Sequence, residues 1–203
     1  MAFIPGFLSR RPGFLFGMKI TFIIGGARSG KSSFALREAS KIEGQKAFVA
    51  TAEALDDEMK HRIEMHRIER GSEWHTYEEP IRIAGVLSEI KDRYPVIVLD
   101  CLTIWLSNVL LQPEMAVDRE TVEETIREFT DGLRQLNSGT MKPGPETQCF
   151  MVSNEVGWGI VPENRLSRQF RDLAGALNQK VADIADEVYL VTAGIPMKIK
   201  DQK

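Results

Sequence analysis

The most specific chemical signal in the sequence is a glycine-rich segment, GGARSGKS, at residues 25–32. It matches the pattern G-x-x-x-x-G-K-S/T, in which main-chain N–H groups wrap around phosphate oxygens. In this pattern Lys31 reaches the β- and γ-phosphates as a catalytic cation, and the Ser32 hydroxyl binds Mg²⁺. The helix that follows adds the partial positive charge of its N-terminus. We call this segment the phosphate cradle; its members are Gly25, Gly26, Ala27, Arg28, Ser29, Gly30, Lys31 and Ser32.

An acidic residue closes an apolar run further along the chain. PVIVLD, at residues 95–100, is typical of a strand buried on both faces, and it ends in Asp100. A phosphate cradle of this kind is usually accompanied by an acid at the end of a neighbouring strand, which helps to hold the metal ion. Asp100 is therefore predicted to bind Mg²⁺ together with Ser32. The alternative is an ordinary aspartate in a turn at a strand end.

The segment RIEMHRIER, at residues 62–70, contains one of the chain's three histidines, His66. On a helix with about 100° per residue, His61 and His66 differ by about 140°, which argues against a two-histidine metal site. Arg62 and Arg70 each lie four residues from His66 and share its face, where cations attract phosphate. Spacing alone favours a solvated basic helix face, and a histidine that reacts near phosphate is the alternative.

The elements around these residues alternate between strands and helices. Apolar, β-branched runs predict strands at residues 19–24, 46–51, 95–100, 148–153 and 187–193. Helical patterns cover residues 32–42, 55–70 and 117–136, the last with Asp118 as its cap, and a further helix opened by Pro162 runs to Ile184. This alternation predicts an α/β fold, with a mostly parallel sheet and helices on both faces. Residues 1–17 are predicted to be a loose extension and residues 18–203 a single nucleotide-binding catalytic domain.

Composition narrows the class of protein. The chain has 203 residues and 43% hydrophobic content, which suits one domain with a sizeable core. Its net charge of -3 argues against a nucleic-acid partner. No apolar stretch reaches the length of a membrane span, and the arginines of the N-terminal segment follow its apolar part, unlike those of a secretory signal. The two cysteines, Cys101 and Cys149, are expected to be reduced thiols in a cytoplasmic protein.

Several motifs, in their order, resemble the bifunctional adenosylcobinamide kinase/adenosylcobinamide-phosphate guanylyltransferases of cobalamin biosynthesis. They are GGARSGKS, ATAEALDDEM, RIEMHRIER with WHTYEEP, DCLTIWLSN, and SNEVGWGIVPENRLSRQFRDLAGALNQ. The resemblance covers about residues 20–200 and implies a P-loop NTPase-like (RecA-like) fold. It also implies two reactions. A nucleoside triphosphate phosphorylates the hydroxyl of adenosylcobinamide; GTP then gives its GMP to an enzyme histidine, and adenosylcobinamide phosphate takes the GMP to form adenosylcobinamide-GDP.

The resemblance assigns roles to individual residues. His66 matches the histidine that becomes guanylylated, which reverses the preference drawn from spacing alone. The positions that match nucleotide contacts or metal ligands are Thr51, Ala52, Glu53, Arg67, Ile68, Glu69, Arg70, Glu78 and Asp100. The resemblance implies Mg²⁺ as cofactor, GTP and ATP as substrates with the donor of the kinase step left open, a corrinoid substrate, and a homo-oligomer, specifically a trimer.

The loop NEVGWGIVPENR has properties that suit a large, partly apolar ligand. Gly157 and Gly159 flank Trp158 just after a predicted strand end, the edge at which open α/β sheets bind ligands. Trp158 and the following arginines, Arg165, Arg168 and Arg171, are therefore predicted to contact the corrinoid. A loop tip and a solvated helix face are the alternative for each of them.

Two other functions compete with this interpretation. One is a P-loop kinase for another small alcohol, without guanylyl transfer. The other is a switch-type ATPase that binds a partner protein, which would call for a basic groove or an exposed interaction helix. Covalent labelling of the protein by α-³²P-GTP separates the two-step enzyme from both.

Overall fold

A seven-stranded sheet forms the centre of the computed structural model, which describes residues 17–53, 71, 73–112, 119–138 and 146–201. The strands are β1 (Lys19–Gly25), β2 (Lys46–Ala50), β3 (Trp74–Glu78), β4 (Val96–Asp100), β5 (Gln148–Asn154), β6 (Glu187–Thr192) and β7 (Ile195–Lys200). Their order across the sheet is β3-β2-β4-β5-β1-β6-β7. Strands β1 to β6 are parallel, and β7 pairs antiparallel with β6 at one edge.

Helices cover both faces of this sheet, as predicted. The described helices are α1 (Lys31–Ser40), α2 (Ile83–Ile90), α3 (Leu102–Leu111), α4 (Arg119–Asn137) and α5 (Arg165–Ile184). Phe34 and Ala35 of α1 pack on one face, in the same cluster as Ile23 and Val152. Apolar residues of α2 to α5 pack with the opposite face, where the larger cluster lies. Since each fully buried Leu, Ile or Phe side chain stabilises the fold by about 1.5–3 kcal/mol, this larger cluster is the main source of stability.

The predicted strands are confirmed to within two residues at their ends, because continuous apolar runs are what a sheet covered on both faces requires. Four elements were not predicted: β3, β7, α2 and α3. The prediction that Pro162 opens the last helix is wrong. The helix begins at Arg165, and its cap is Asn164, whose Oδ1 accepts hydrogen bonds from the main-chain N–H groups of Leu166 (2.8 Å) and Ser167 (3.2 Å). Residues 1–16 of the extension predicted at 1–17, the predicted helix at 55–70 and the cap Asp118 lie outside the described residues.

The carboxyl ends of the parallel strands meet at one edge of the sheet, and their register decides which residues come together. Gly25, the first residue of the phosphate cradle, is paired with Asn154 at the end of β5. On the far side of β5, Ala50 is paired with Asp100 on one side and with Glu78 on the other. This edge therefore brings the cradle and the two predicted acids to one side of the molecule. In the described part of the chain, no helix is long and apolar enough to cross a bilayer.

Candidate functional site

The phosphate cradle is shaped by close backbone contacts that admit only glycine at its first position. A Cβ atom added to Gly25 would lie 2.3 Å from the carbonyl oxygen of Val191 and 2.8 Å from Ser29 Oγ, which is closer than such atoms approach in proteins. Gly30 has a φ of 94°, in the region that favours glycine. The turn between β6 and β7 holds the cradle in place, because the N–H of Gly194 donates to the carbonyl oxygen of Ser29 at 2.8 Å.

Lys31 places its ammonium group within the loop of the cradle. The residue is only 6% exposed. Its Nζ donates to the carbonyl oxygen of Gly26 at 2.6 Å and lies 3.4 Å from Ser29 Oγ. Burial lowers the pKa of Lys31, and the Asp100 carboxylate offsets part of this effect. Within the described residues Lys31 forms no ion pair, and a phosphate entering the cradle would supply a negative charge in direct contact with its ammonium group.

Ser32 and Asp100 are the residues that could hold Mg²⁺ beside the cradle. Ser32 is half-buried in the first turn of α1, and Asp100 is half-buried at the end of β4. One strand, β5, separates β4 from β1, so the two strand ends are about 10 Å apart at a spacing of about 4.8 Å per strand. A hydroxyl and a carboxylate are the oxygen ligands that Mg²⁺ prefers, so the donor chemistry fits this ion. The peptide bond between Asp100 and Cys101 is cis.

Thr51 connects two strand ends through buried hydrogen bonds. Its Oγ1 donates to the carbonyl oxygen of Cys101 at 2.8 Å and accepts from the N–H of Cys101 at 2.9 Å. Its N–H donates to the carbonyl oxygen of Asp100 at 3.2 Å, and its own carbonyl oxygen accepts from Asn108 Nδ2 at 2.7 Å. The residue is fully buried. It therefore fixes the end of β2 to the end of β4, and its direct contact with nucleotide stays a prediction.

The next two residues and the end of β3 are more accessible. Ala52 is half-buried, and Glu53 and Glu78 are exposed. Glu78 ends β3, which lies four strands from β1, or about 19 Å along the sheet edge at about 4.8 Å per strand. Because Mg²⁺ ligands lie about 2.1 Å from the ion, Glu78 cannot share an ion with Ser32 in this arrangement. The site thus has a cradle region near β1 and a separate acidic region near β3.

The loop between β5 and α5 presents apolar side chains to solvent on the same edge of the sheet. Trp158 is 76% exposed and Ile160 is 96% exposed, and Val161 and Leu166 are also exposed. Isolated exposed apolar residues are common, but four within nine positions beside a candidate site form a surface that suits an apolar ligand.

The three arginines predicted to contact a corrinoid differ in their surroundings. Arg165 is exposed at the start of α5. Arg168 donates from Nη1 to the carbonyl oxygens of Pro162, at 3.0 Å, and Glu163. The guanidinium of Arg171 lies 3.9 Å from the carboxylate of Asp172. Arg168 therefore ties the loop to the first turn of α5, whereas Arg165 keeps its head group accessible.

Sequence reasoning missed a group of polar residues at the end of β5: the buried Thr103 of α3, Ser153 of β5 and Asn178 of α5, and the half-buried Asn154 of β5. These residues are joined by hydrogen bonds of 2.7–3.3 Å. A signal for one of them was present. Asn154 is the polar residue that closes an apolar strand, as Asp100 does, and the same reasoning would have selected it.

Five of the predicted site residues lie outside the described part of the chain. They are His66, Arg67, Ile68, Glu69 and Arg70. Their predicted roles in guanylyl transfer and GTP binding stay predictions.

Comparison with known proteins agrees with this arrangement. Residues 21–199 match the family described as cobinamide kinase / cobinamide phosphate guanyltransferase. The chain is 38% identical over 183 residues to the bifunctional adenosylcobalamin biosynthesis protein CobP of Pseudomonas aeruginosa, covering 89% of this chain and 96% of that protein. It is 39% identical over 182 residues to the bifunctional adenosylcobalamin biosynthesis protein CobU of Salmonella typhimurium, covering 88% of this chain and 98% of that protein.

Among solved structures, the fold is similar to that of an ATPase from the type III secretion system of pathogenic bacteria. The TM-score is 0.55 with 9% sequence identity, over 89% of this chain and 56% of that chain. A likeness at this identity concerns the fold, and it agrees with the predicted P-loop NTPase-like (RecA-like) architecture. With a family match over nearly the whole chain and two relatives covered almost end to end, the chain belongs to the cobinamide kinase / cobinamide phosphate guanyltransferase family of enzymes.

Proposed function

We propose that this enzyme catalyses two successive reactions of cobalamin biosynthesis on one corrinoid. It first phosphorylates the hydroxyl of adenosylcobinamide, and it then transfers GMP from GTP to the resulting phosphate, giving adenosylcobinamide-GDP and pyrophosphate. The observation that carries this proposal is the phosphate cradle, in which the buried ammonium of Lys31 is bonded to a backbone carbonyl of the loop. Family membership supports the choice of a corrinoid substrate and of these two transfers.

In the phosphorylation step, the cradle binds the triphosphate and Lys31 neutralises charge on the group that is transferred. Ser32 and Asp100 would hold Mg²⁺, which when bound supplies further neutralisation of the phosphate charge. The other members of the cradle contribute main-chain N–H groups, and Arg28 adds a cation at its rim. ATP and GTP both remain candidate donors for this step.

In the guanylyl step, His66 acts as the nucleophile. An imidazole nitrogen attacks the α-phosphorus of GTP, a P–N bond forms, and the bond from the α-phosphorus to the bridging oxygen of the β-phosphate breaks, releasing pyrophosphate. The phosphate of the corrinoid then attacks the same phosphorus and restores the imidazole. A covalent intermediate divides one difficult transfer into two easier ones.

Residues around His66 and at the β3 side of the sheet complete the GTP site in this proposal. Arg67, Ile68, Glu69 and Arg70 contact GTP in the covalent step. Ala52, Glu53 and Glu78 lie at the same edge of the sheet as the cradle but further from it, which supports contacts with parts of GTP other than the metal-bound phosphates. Thr51 contributes by holding β2 against β4.

The corrinoid is proposed to pack against Trp158, with Arg165, Arg168 and Arg171 nearby to meet its polar groups. The exposure of Trp158, Ile160 and Val161 beside the cradle edge supports this placement. A cytoplasmic location and a homotrimeric assembly complete the proposal.

The test uses GTP labelled at either end. Protein incubated with α-³²P-GTP should become labelled, whereas γ-³²P-GTP should leave no label, because pyrophosphate departs. The His66→Ala variant should take no label, yet it should still phosphorylate adenosylcobinamide, since that step needs no covalent intermediate. His61→Ala is the matched control and should label normally.

The chemistry of the label provides a second criterion. A phosphoramidate of histidine is lost in mild acid and survives alkali, unlike a serine phosphoester. Normal labelling of His66→Ala, or a label that survives acid, would show that the nucleophile is another residue. A wild-type protein that phosphorylates a small alcohol but never takes a label would instead indicate a simple kinase.

A further inference from the structure

Asn154 occupies the position between the two parts of the phosphate site. It ends β5, the strand that separates β1, with the cradle, from β4, with Asp100. It is paired in register with Gly25, the first residue of the cradle. Asn154 is half-buried, so part of the residue is open to solvent.

Two N–H groups of Asn154 converge on one buried hydroxyl. Its main-chain N–H and its Nδ2 donate to Thr103 Oγ1 at 3.3 Å and 2.9 Å. Thr103 is 3% exposed. Since a hydroxyl oxygen has two lone pairs, both are then filled, and its proton is directed to Cys101 Sγ at 3.2 Å. The amide nitrogen of Asn154 is therefore fixed toward Thr103, and the amide oxygen is directed away from it.

The main chain of Asn154 is fixed from α5 as well. Asn178 Nδ2 donates to the carbonyl oxygen of Asn154 at 3.1 Å, and Asn178 Oδ1 accepts from Ser153 Oγ at 2.7 Å. Within the described residues, Asn154 Oδ1 accepts no hydrogen bond from the protein. The buried network thus holds a single amide oxygen in a defined orientation at the strand end beside the cradle. Such rigid support is what an oriented ligand contact requires.

We propose that Asn154 Oδ1 accepts a hydrogen bond from the hydroxyl that attacks the γ-phosphorus, and that Thr103 is the positioning residue that orients this amide. The inference rests on the phosphorylation step of the proposed function. In that step the hydroxyl oxygen bonds to the γ-phosphorus, the bond to the bridging β-phosphate oxygen breaks, and the hydroxyl proton is released to water. An amide oxygen is too weak a base to take that proton, so Asn154 contributes by holding the hydroxyl in line for attack.

The experiment compares two readouts in the full-length protein: phosphorylation of adenosylcobinamide and self-labelling by α-³²P-GTP. Asn154→Ala should lower kcat for phosphorylation about 10- to 100-fold, with little change in the KM for nucleotide. Self-labelling involves no acceptor hydroxyl and should keep its rate. Thr103→Val should lower the same kcat, Thr103→Ser should restore it, and adding Thr103→Val to Asn154→Ala should cause no further loss.

The matched control is Asn137→Ala. Asn137 is also half-buried, and its Nδ2 donates to the carboxylate of Asp186 at 3.0 Å. Asp186 directly precedes β6, so this contact lies at the amino ends of the parallel strands, away from the cradle. This variant should lose stability in urea without any change in kcat.

The outcomes separate this inference from the proposed function. A wild-type protein unable to phosphorylate adenosylcobinamide would overturn both. If the wild type is active and Asn154→Ala has unchanged kcat, or loses both activities equally with a raised nucleotide KM, the assigned role of Asn154 is wrong. If Asn154→Ala fails to fold, the comparison of Thr103→Val with Thr103→Ser decides: equal activities of these two variants would overturn the inference.

Discussion

Thr51→Val tests whether this residue joins strands or contacts nucleotide. Valine has nearly the same shape as threonine, so the substitution removes the hydroxyl without opening a cavity. It deletes two hydrogen bonds to Cys101, of 2.8 Å and 2.9 Å, in a fully buried position. The carbonyl oxygen of Cys101 keeps a second donor, the N–H of Trp105 at 3.1 Å. The main-chain N–H of Cys101, by contrast, loses Thr51 Oγ1 as its hydrogen-bond acceptor.

The size of the effect follows from these contacts. An orphaned buried N–H costs about 1–3 kcal/mol, and the second lost bond about 0.5–1.5 kcal/mol. We therefore expect Thr51→Val to lower the free energy of unfolding by about 1.5–4.5 kcal/mol. For a chain of this length, a loss of about 3 kcal/mol corresponds to a fall in Tm of about 6–12 °C.

Urea denaturation, with GTP binding measured on the folded protein, is the assay. The control is Thr125→Val on α4, where the hydroxyl donates to the carbonyl oxygen of Thr121 at 3.0 Å on the helix surface. This change should alter stability by less than about 0.5 kcal/mol. A loss below about 1 kcal/mol for Thr51→Val, combined with weaker GTP binding, would refute the reasoning and favour direct nucleotide contact.

Three further changes test other parts of the molecule. Lys31→Ala should abolish both activities, because both need a triphosphate in the cradle; normal self-labelling by GTP in this variant would show that GTP binds elsewhere. Trp158→Ala should raise the KM for adenosylcobinamide while GTP affinity stays constant, and an unchanged corrinoid KM would return this residue to an ordinary loop tip. Burial opposes ionisation of Glu187, but hydrogen bonds and attraction from Lys19 and Lys198, at 2.8 Å and 3.3 Å, outweigh it and hold its pKa below the usual value. Because this pKa is lower in the folded than in the unfolded protein, ionised Glu187 stabilises the fold at pH values above its unfolded pKa of about 4.3. This stabilisation is lost as the pH falls through the folded pKa. Glu187→Gln should therefore be less stable than wild type at pH 7 in urea, with the difference shrinking in acid; an equal difference at both pH values would contradict this.

The features that depend on a local pattern of residues could be predicted from the sequence. The phosphate cradle was readable because glycine, lysine and serine at fixed spacing serve one backbone conformation. The strand ending in Asp100 was readable because a strand covered on both faces needs a continuous apolar run. The long helix Arg119–Asn137 was readable within two residues at its start, since its apolar positions recur with the helical period.

Elements that are short, or whose residues mix polar and apolar types, were not predicted from the sequence. The strand Trp74–Glu78 mixes polar and aromatic residues and lies at one edge of the sheet. The strand Ile195–Lys200 lies at the other edge, and a continuous apolar run is not required at either position. The start of α5 was misplaced because Pro162 and Asn164, two residues apart, each give a signal typical of a helix start, and only Asn164 makes the capping bonds.

Which strand ends are neighbours, and which polar groups form hydrogen bonds with one another, depends on how the strands assemble in three dimensions. Thr51 meets Cys101 across fifty residues of sequence, and Thr103 meets Asn154 across fifty-one. Local propensity carries no information about such pairs, because they follow from the order β2-β4-β5-β1 in which the strands assemble. That order places Asn154 between the cradle and Asp100, and it sets Glu78 about 19 Å from the strand that carries the cradle, at about 4.8 Å per strand.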